Sequence, residues 1–369
     1  MMYISEVSGH HSATLAIEKA LKVIAPDTQI LNINAFNYTN PISERIVNRL
    51  YLNIIKRVPK IWDYLYDNPD VAKRIDKIKA AINKFNSPKL KKLFDNFKPD
   101  IVVCSQAFPC GMVADFKKTY KSPLPLVAVL TDYIPHSYWI YDSVDYYISP
   151  CEEVSSVLIK KGVPSAKIKN FGIPIDHKFC IGAGKIELRQ KFKLKSTLPT
   201  LLIMGGGQGL GPIKTIIKSL EKVAKPLQEI IVTGTNKKLF NRLKRKIKKC
   251  KKKILLFAYA DNIDELMSMS DLVITKPGGL TTAEALAKRL PIIIVRPIPG
   301  QEVNNTAYLT GKNVAVKISK STDIIPVIND LMENPDKLHA MSESAGRISK
   351  PYSSIQIAKF LLAKAQAYA

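Results

Sequence analysis

Short apolar runs alternate with longer amphipathic segments along the whole chain. Such alternation is typical of a parallel α/β architecture. In the first half, the apolar runs predict strands at 1–5, 29–33, 101–104, 126–130, 146–148 and 168–170. In the second half, they predict strands at 200–204, 229–232, 253–257, 272–275 and 292–295. The two halves therefore repeat one plan.

The length of 369 residues exceeds what one ordinary core holds and predicts two domains. The first domain is expected over 1–175. Residues 176–199 carry mixed charge, two glycines and no strong strand run, which indicates a linker. The second domain is expected over 200–350, and the helical pattern of 351–369 is expected to cross back to the first domain.

The apolar runs are too short for a membrane-spanning helix, and residues 1–11 lack the pattern of a secretory signal. Five cysteines show neither zinc-site nor disulfide spacing, which suits a reducing cytoplasm. They are Cys104, Cys110, Cys151, Cys180 and Cys250.

The formal net charge of +25 indicates an acidic partner: nucleic acid, an anionic bilayer or phosphorylated substrates. The densest basic run is 237–253, and a helix is expected over 237–249 with Leu239, Leu243 and Ile247 on one face. This helix is either a solvated outer helix or a contact for anionic lipid, with 41–97 as the alternative membrane contact. Nucleic acid is disfavoured, because the run has no interleaved aromatics and no nucleic-acid motif is present.

The strongest local motif is an apolar strand at 201–204 followed at once by Gly205-Gly206-Gly207-Gln208-Gly209. Glycines let backbone N–H groups approach a phosphate, and the amino terminus of the next helix adds partial positive charge. A diphosphate site is therefore predicted here, and a tight turn without a ligand is the alternative. No P-loop lysine follows.

Two further loops follow predicted strands. Gly278 and Gly279 form a turn before a helix that Thr281 or Thr282 caps, with Glu284 in its first turn as a ribose ligand or as a capping-box residue. After the strand at 292–295, polar side chains are available to sugar hydroxyls. They are Gln301, Glu302 and Asn305.

In the first half, Gly9 and His10 lie at the first strand–helix turn. His10 is a candidate general base, and an ordinary exposed loop histidine is the alternative. Asp132, His136 and Trp139 follow another strand, where they either form an acceptor pocket or pack beneath a long loop.

Taken together, these segments resemble the monogalactosyldiacylglycerol synthases and processive diacylglycerol glucosyltransferases, of glycosyltransferase family 28. The resemblance covers nearly the whole chain and rests on motifs in the family's order. They are T-D-Y-I-P-H-S-Y-W, F-G-I-P-I, G-G-G-Q-G, F-A-Y-A-D-N-I-D-E-L-M, T-K-P-G-G-L-T-T-A-E-A-L and R-P-I-P-G-Q-E-V-N-N. The first turn departs from the family, since Val7 and Ser8 replace common glycines.

The resemblance implies a GT-B fold, in which two Rossmann-like doubly wound domains face a cleft, with the acceptor bound by the first domain and a UDP-sugar by the second. It assigns Gly206–Gly209 to the diphosphate, the backbone near Tyr259 and Ile263 to uracil, Glu284 to ribose, and Gln301 and Glu302 to the sugar. It places His10 near the reacting centre, and Asp132 and His136 on the acceptor side.

The expected activity is inverting transfer of a hexose from UDP-glucose or UDP-galactose to diacylglycerol, with His10 or Glu6 as the base. No Asp-x-Asp motif is present, so no essential metal and no cofactor are expected. The expected location is the cytoplasm, at the anionic inner face of the cell membrane, with no obligate protein partner. A UDP-GlcNAc transferase acting on a polyprenyl-diphosphate lipid is the alternative.

Overall fold

The computed structural model describes residues 1–39, 87–135, 137–182, 184–250 and 252–368. The chain divides into two compact units. The first comprises Met1–Asp176, Ile298–Gln301 and Tyr352–Ala369, and the second comprises His177–Pro297 and Glu302–Pro351.

The first unit contains a parallel sheet that has six strands among the described residues, in the order β2-β1-β3-β4-β5-β6. The strands are β1 Met2–Tyr3, β2 Ile33–Asn34, β3 Val102–Cys104, β4 Leu126–Val129, β5 Tyr146–Ile148 and β6 Ile168–Lys169. Residues 87–97 are helical. The other described α-helices of this unit are α1 Gly9–Ile24, α2 Ala35–Thr39, α3 Ala107–Tyr120, α4 Glu152–Lys160 and the final helix, Ser353–Tyr368.

The final helix packs against α1, and both belong to the first unit. Ile17 of α1, Val127 of β4 and Ile357 of the final helix share one buried core. Ser353 Oγ donates to the Ile173 carbonyl at 2.7 Å, so the start of this helix is fixed to the middle of the F-G-I-P-I segment. The C-terminal segment is thus part of the first unit.

The second unit also contains a parallel sheet with six described strands, in the order β12-β11-β10-β7-β8-β9. The strands are β7 Thr200–Met204, β8 Gln228–Val232, β9 Ile254–Phe257, β10 Leu272–Thr275, β11 Ile292–Val295 and β12 Ala315–Ile318. The α-helices are α5 Lys185–Lys191, α6 Ile213–Leu220, α7 Lys237–Lys246, α8 Ile263–Ser268, α9 Gly279–Ala287, α10 Gln301–Gly311, α11 Ile324–Glu333 and α12 Pro335–Ile348.

Each sheet has a point where the strand order reverses, between β1 and β3 in the first and between β7 and β10 in the second. In open parallel sheets, ligands bind outside the carboxyl ends of the strands at such a point. The two strongest sequence candidates, His10 after β1 and the glycine run after β7, both lie there.

Residues 176–199, interpreted as a linker, lie in the second unit from His177 onward and contain α5. Arg189 of α5 is buried, donates to the Met269 carbonyl at 2.9 Å and forms an ion pair with Asp271 at 2.7 Å. The segment is therefore anchored to the loop before β10. Among the described helices, none has the length and apolar character of a membrane span.

Candidate functional site

The glycine run after β7 forms a tight turn of main chain. Gly209 N donates to Gly206 O at 3.0 Å, and Leu210 N donates to Gly205 O at 2.9 Å. A Cβ on Gly205 would lie 2.0 Å from the Leu210 carbonyl oxygen, so this position accepts no side chain. Helix α6 begins after the turn with Pro212 at its N-cap.

This turn is locked against the loop that follows β8. Gly209 has φ +58°, and a Cβ there would lie 1.9 Å from the Thr233 carbonyl oxygen. From the other side, a Cβ on Gly234 would lie 2.2 Å from the Gly207 carbonyl oxygen, and Thr235 N donates to the same oxygen at 2.8 Å. The two loops are in backbone contact, so glycine is required at both positions. What the turn offers to a ligand is therefore main chain, with Gly207 exposed and Gln208 half-buried.

Lys276, directly after β10, points to this turn. Its Cε lies 3.5 Å from where a Cβ on Gly206 would be, and its Nζ lies 2.6 Å from Glu302 Oε1. The pair joins the loops that follow β7, β10 and β11 at the reversal point of the sheet. Lys276 is part of the T-K-P-G-G motif, for which only the glycines, a threonine and Glu284 were predicted to bind the donor. Its position directly after a predicted strand was the sequence feature that could have indicated a ligand contact.

Helix α9 begins differently from the sequence expectation. Its N-cap is Gly278, which has no side chain, and Thr282 Oγ1 instead donates back to the carbonyls of Gly278 and Gly279, at 3.0 Å each. The expected threonine cap is therefore wrong, and Glu284 is half-buried one turn further into the helix than predicted. Thr281, in the first turn of α9, is also half-buried.

The remaining donor-side candidates lie on a loop and on two helices of the chain that follows β9 and β11. Gly234 N donates to Ala258 O at 3.0 Å, which joins the loop after β8 to the loop carrying the exposed Tyr259. Ile263 is half-buried at the start of α8. Gln301 begins α10, whereas Asn305 of α10 is fully buried and donates to the Pro277 carbonyl at 3.0 Å. Asn305 therefore fixes the loop after β10 rather than facing solvent.

In the first unit, His10 lies in the first turn of α1 and contacts groups that follow two other strands. Its Nδ1 lies 3.0 Å from the Ser105 carbonyl oxygen and 2.9 Å from Thr131 Oγ1. Burial lowers the pKa of His10 below its usual 6.5, and the charge of Asp132 opposes this to a smaller extent. The imidazole is thus held neutral and oriented at the reversal point of the first sheet.

Glu6, the other candidate base, has different neighbours. Both of its carboxylate oxygens lie 2.8 Å from the Tyr3 hydroxyl, and one lies 3.5 Å from His11 Nε2. Tyr3 and His11 stack with ring centroids 4.3 Å apart. Glu6 therefore belongs to a cluster with Tyr3 and His11.

The first turn achieves its shape without the family's glycines. Ser8 is the N-cap of α1, with extended backbone, and accepts from His11 N at 3.2 Å. The left-handed residue is Ser5, with φ +65°, a conformation that favours glycine. Gly9 is the exposed first residue of the helix.

The described acceptor-side candidates occupy one half-buried and one buried position. Asp132 is half-buried next to Thr131, and its charge acts on His10. Trp139 is only 4% exposed, so its ring is part of the core, in agreement with the packing alternative. His136 lies outside the described residues. Nowhere in the described ranges do three or more His, Cys, Asp or Glu side chains gather in a metal-binding group.

Comparison with known proteins gives matches over nearly the whole chain. The monogalactosyldiacylglycerol (MGDG) synthase family model matches residues 10–175, and the glycosyltransferase family 28 C-terminal domain model matches residues 200–356. The processive diacylglycerol beta-glucosyltransferase of Bacillus cytotoxicus is 32% identical over 96% of this chain and 90% of its own. The enzyme of the same name from Bacillus mycoides is 31% identical over 97% and 91%.

The crystal structure of MurG from Acinetobacter baumannii superimposes with a TM-score of 0.65 over 98% of this chain and 99% of that chain. At 13% sequence identity, this likeness concerns the fold alone. It confirms the predicted GT-B fold, with two Rossmann-like units.

Proposed function

The chain belongs to the family of monogalactosyldiacylglycerol synthases and processive diacylglycerol glucosyltransferases, as its motifs predicted, and on that premise we propose that it makes a membrane glycolipid. It is a UDP-sugar-dependent hexosyltransferase that transfers a hexose to diacylglycerol. UDP-glucose is the favoured donor, because the relatives are named glucosyltransferases, and UDP-galactose is the alternative.

The observation that carries this proposal is the locked glycine turn at the reversal point of the second sheet. Its main chain offers a donor diphosphate N–H groups, and the start of α6 directly after the turn adds partial positive charge. The surrounding candidates are proposed to bind separate parts of the donor. The backbone near Tyr259 and Ile263 binds the uracil, Glu284 binds the ribose, and Gln301 and Glu302 bind the sugar.

The proposed reaction is a single displacement with inversion. His10 Nε2 accepts the proton of the diacylglycerol hydroxyl while that oxygen forms a bond to the anomeric carbon. The bond from this carbon to the phosphate oxygen breaks, and its electron pair leaves with UDP. Preorganised donors at the glycine turn stabilise the charge that develops there, an effect worth several kcal/mol in enzymes. The step uses no metal and no cofactor.

The proposed location is the anionic inner face of the cell membrane, where the lipid acceptor resides. The proposed contact, here called the basic surface, is the outer side of α7 and of the short helical turn after it. Leu243 is buried and Leu239 packs against the core, so the apolar face of α7 is used inside the unit and the charged side chains face outward. The exposed residues of the basic surface are Lys237, Lys238, Arg242, Lys244, Arg245, Lys248 and Lys249.

The test supplies purified protein with vesicles containing diacylglycerol and, in separate reactions, UDP-glucose, UDP-galactose or UDP-GlcNAc, and identifies products by mass. A hexosyl-diacylglycerol from one of the first two donors is expected. A parallel reaction with UDP-GlcNAc and a polyprenyl-diphosphate lipid tests the alternative activity. Product in that reaction alone would replace the proposed function.

A further inference from the structure

The proposed function leaves one charged group beside the glycine turn without a role. Lys276 reaches back from the end of β10 to Gly206, with its Cε 3.5 Å from the position of a Cβ on that glycine. Its side chain is 21% exposed, and that of its partner Glu302 is 11% exposed. The pair is thus largely shielded from water.

Geometry restricts where the ammonium can act. The Nζ is held 2.6 Å from Glu302 Oε1, and Glu302 is fixed on α10, where Thr306 Oγ1 donates to its carbonyl at 2.7 Å. β7 and β10 are adjacent strands at the reversal point of the sheet. The ammonium therefore lies outside the carboxyl ends of these strands, where ligands of such folds bind. A lysine ammonium has three N–H donors, so the bond to Glu302 leaves capacity for a second acceptor.

We infer that Lys276 contacts the diphosphate of the donor and is a further catalytic residue of the proposed transfer. As the bond between the anomeric carbon and the phosphate oxygen breaks, negative charge increases on that oxygen. The Lys276 ammonium donates a charge-assisted hydrogen bond to this diphosphate without giving up its proton. The inference rests on the proposed function, because it requires a nucleoside diphosphate as the leaving group.

The test compares the binding of uridine and UDP by calorimetry to the wild-type protein, K276M, K276R and a matched control, K218A. Lys218 is an exposed lysine near the end of α6, away from the glycine turn along that helix. For K276M we expect UDP affinity to fall about 10- to 100-fold, the effect of losing a hydrogen bond to a charged group, while uridine affinity stays within about twofold. K276R should retain part of the UDP affinity. The kcat should also fall in both variants, and by more in K276M than in K276R.

The outcomes separate the two claims. Wild-type protein that binds neither uridine nor UDP contradicts the proposed function and the inference with it. Wild-type protein that binds UDP, with K276M binding it equally well, overturns the inference alone. An equal loss of uridine and UDP affinity in K276M also overturns it, because such a loss means that Lys276 only maintains the shape of the site.

Discussion

The Nδ1 of His10 lies 3.0 Å from the carbonyl oxygen of Ser105, which follows β3 on the other side of the reversal point of the first sheet. A carbonyl oxygen only accepts, so this hydrogen bond requires a proton on Nδ1. In the neutral ring the lone pair is then on Nε2. Since burial lowers the pKa of His10, this neutral tautomer is the form present near neutral pH, and Nε2 is available as a base.

Replacing His10 by Ala is therefore expected to lower kcat by about 100-fold or more, the usual contribution of a general base. The measurement is glycolipid formation at saturating donor on diacylglycerol vesicles. His339→Ala is the matched control, because His339 is exposed on α12. Near-normal turnover of the His10 variant would remove it from this role, and a comparable loss for E6Q alone would transfer the role to Glu6.

The pH dependence of kcat follows from the same histidine. Protonated His10 cannot accept a proton, so kcat should fall as the pH drops through a pKa below 6.5. The charge of Asp132 raises this pKa, and D132N should therefore move the acidic limb to lower pH. A pH–rate profile of both proteins checks the direction. An acidic limb that D132N leaves in place or moves upward contradicts the assignment.

Sequence reasoning predicted the strands of the second sheet best where both faces are buried. β7, β10 and β11 begin and end where the apolar runs do, because central parallel strands are apolar on both faces. β12 was missed, since its Ala-Val-Lys-Ile run is short and contains a charge. The Lys276–Glu302 pair was also missed, because it joins residues 26 positions apart that meet only when β10 and β11 are adjacent.

Gly209 is expected to tolerate no side chain. In Gly209→Ala, the new Cβ would lie 1.9 Å from the Thr233 carbonyl oxygen, and the φ of +58° is itself unfavourable for alanine. The variant should lose at least about 2 kcal/mol of stability, together with UDP binding. Thermal unfolding and calorimetry measure the two effects.

Gly184→Ala is the matched control for this glycine. Gly184 has an ordinary φ of −62°, and a Cβ there would meet nothing within 4 Å. Its variant should unfold and bind UDP as the wild type does. If the Gly209 variant also retained wild-type stability and UDP affinity, the backbone contact between the loops after β7 and β8 would not be needed.

Glu229 on β8 predicts a pH-dependent stability of the second unit. Its side chain is 1% exposed, and burial raises its pKa from the ordinary 4.5 to about 7, with Lys252 opposing the rise and Glu221 adding to it. The folded state therefore favours the protonated carboxyl, and stability present at low pH is lost as the pH rises through about 7. The loss amounts to at most about 3 kcal/mol.

Glu229→Gln tests this relationship, since the amide resembles the protonated carboxyl in shape. The free energy of unfolding of the wild type should decrease between about pH 5 and pH 8 by more than that of E229Q. Denaturant unfolding at several pH values supplies the comparison. Parallel pH profiles for the two proteins would show that Glu229 does not carry the effect.

The basic surface predicts electrostatic membrane binding without insertion, because Leu239 and Leu243 of α7 pack against the core. Each basic residue near an anionic bilayer contributes roughly 1 kcal/mol. Changing Lys238, Arg242 and Arg245 to Gln should therefore weaken binding to phosphatidylglycerol vesicles by on the order of 100-fold. The wild type should bind less tightly as salt rises, and weakly to neutral vesicles.

The control removes the same charge elsewhere, by changing the exposed Lys160, Lys161 and Lys350 to Gln. If position matters, vesicle sedimentation should show near-normal binding for this control and weak binding for the first variant. Equal losses in both would mean that net charge, rather than the basic surface, attracts the membrane. Binding of the wild type that ignores both phosphatidylglycerol content and salt would exclude electrostatic docking, and the membrane contact would then have to come from another part of the chain.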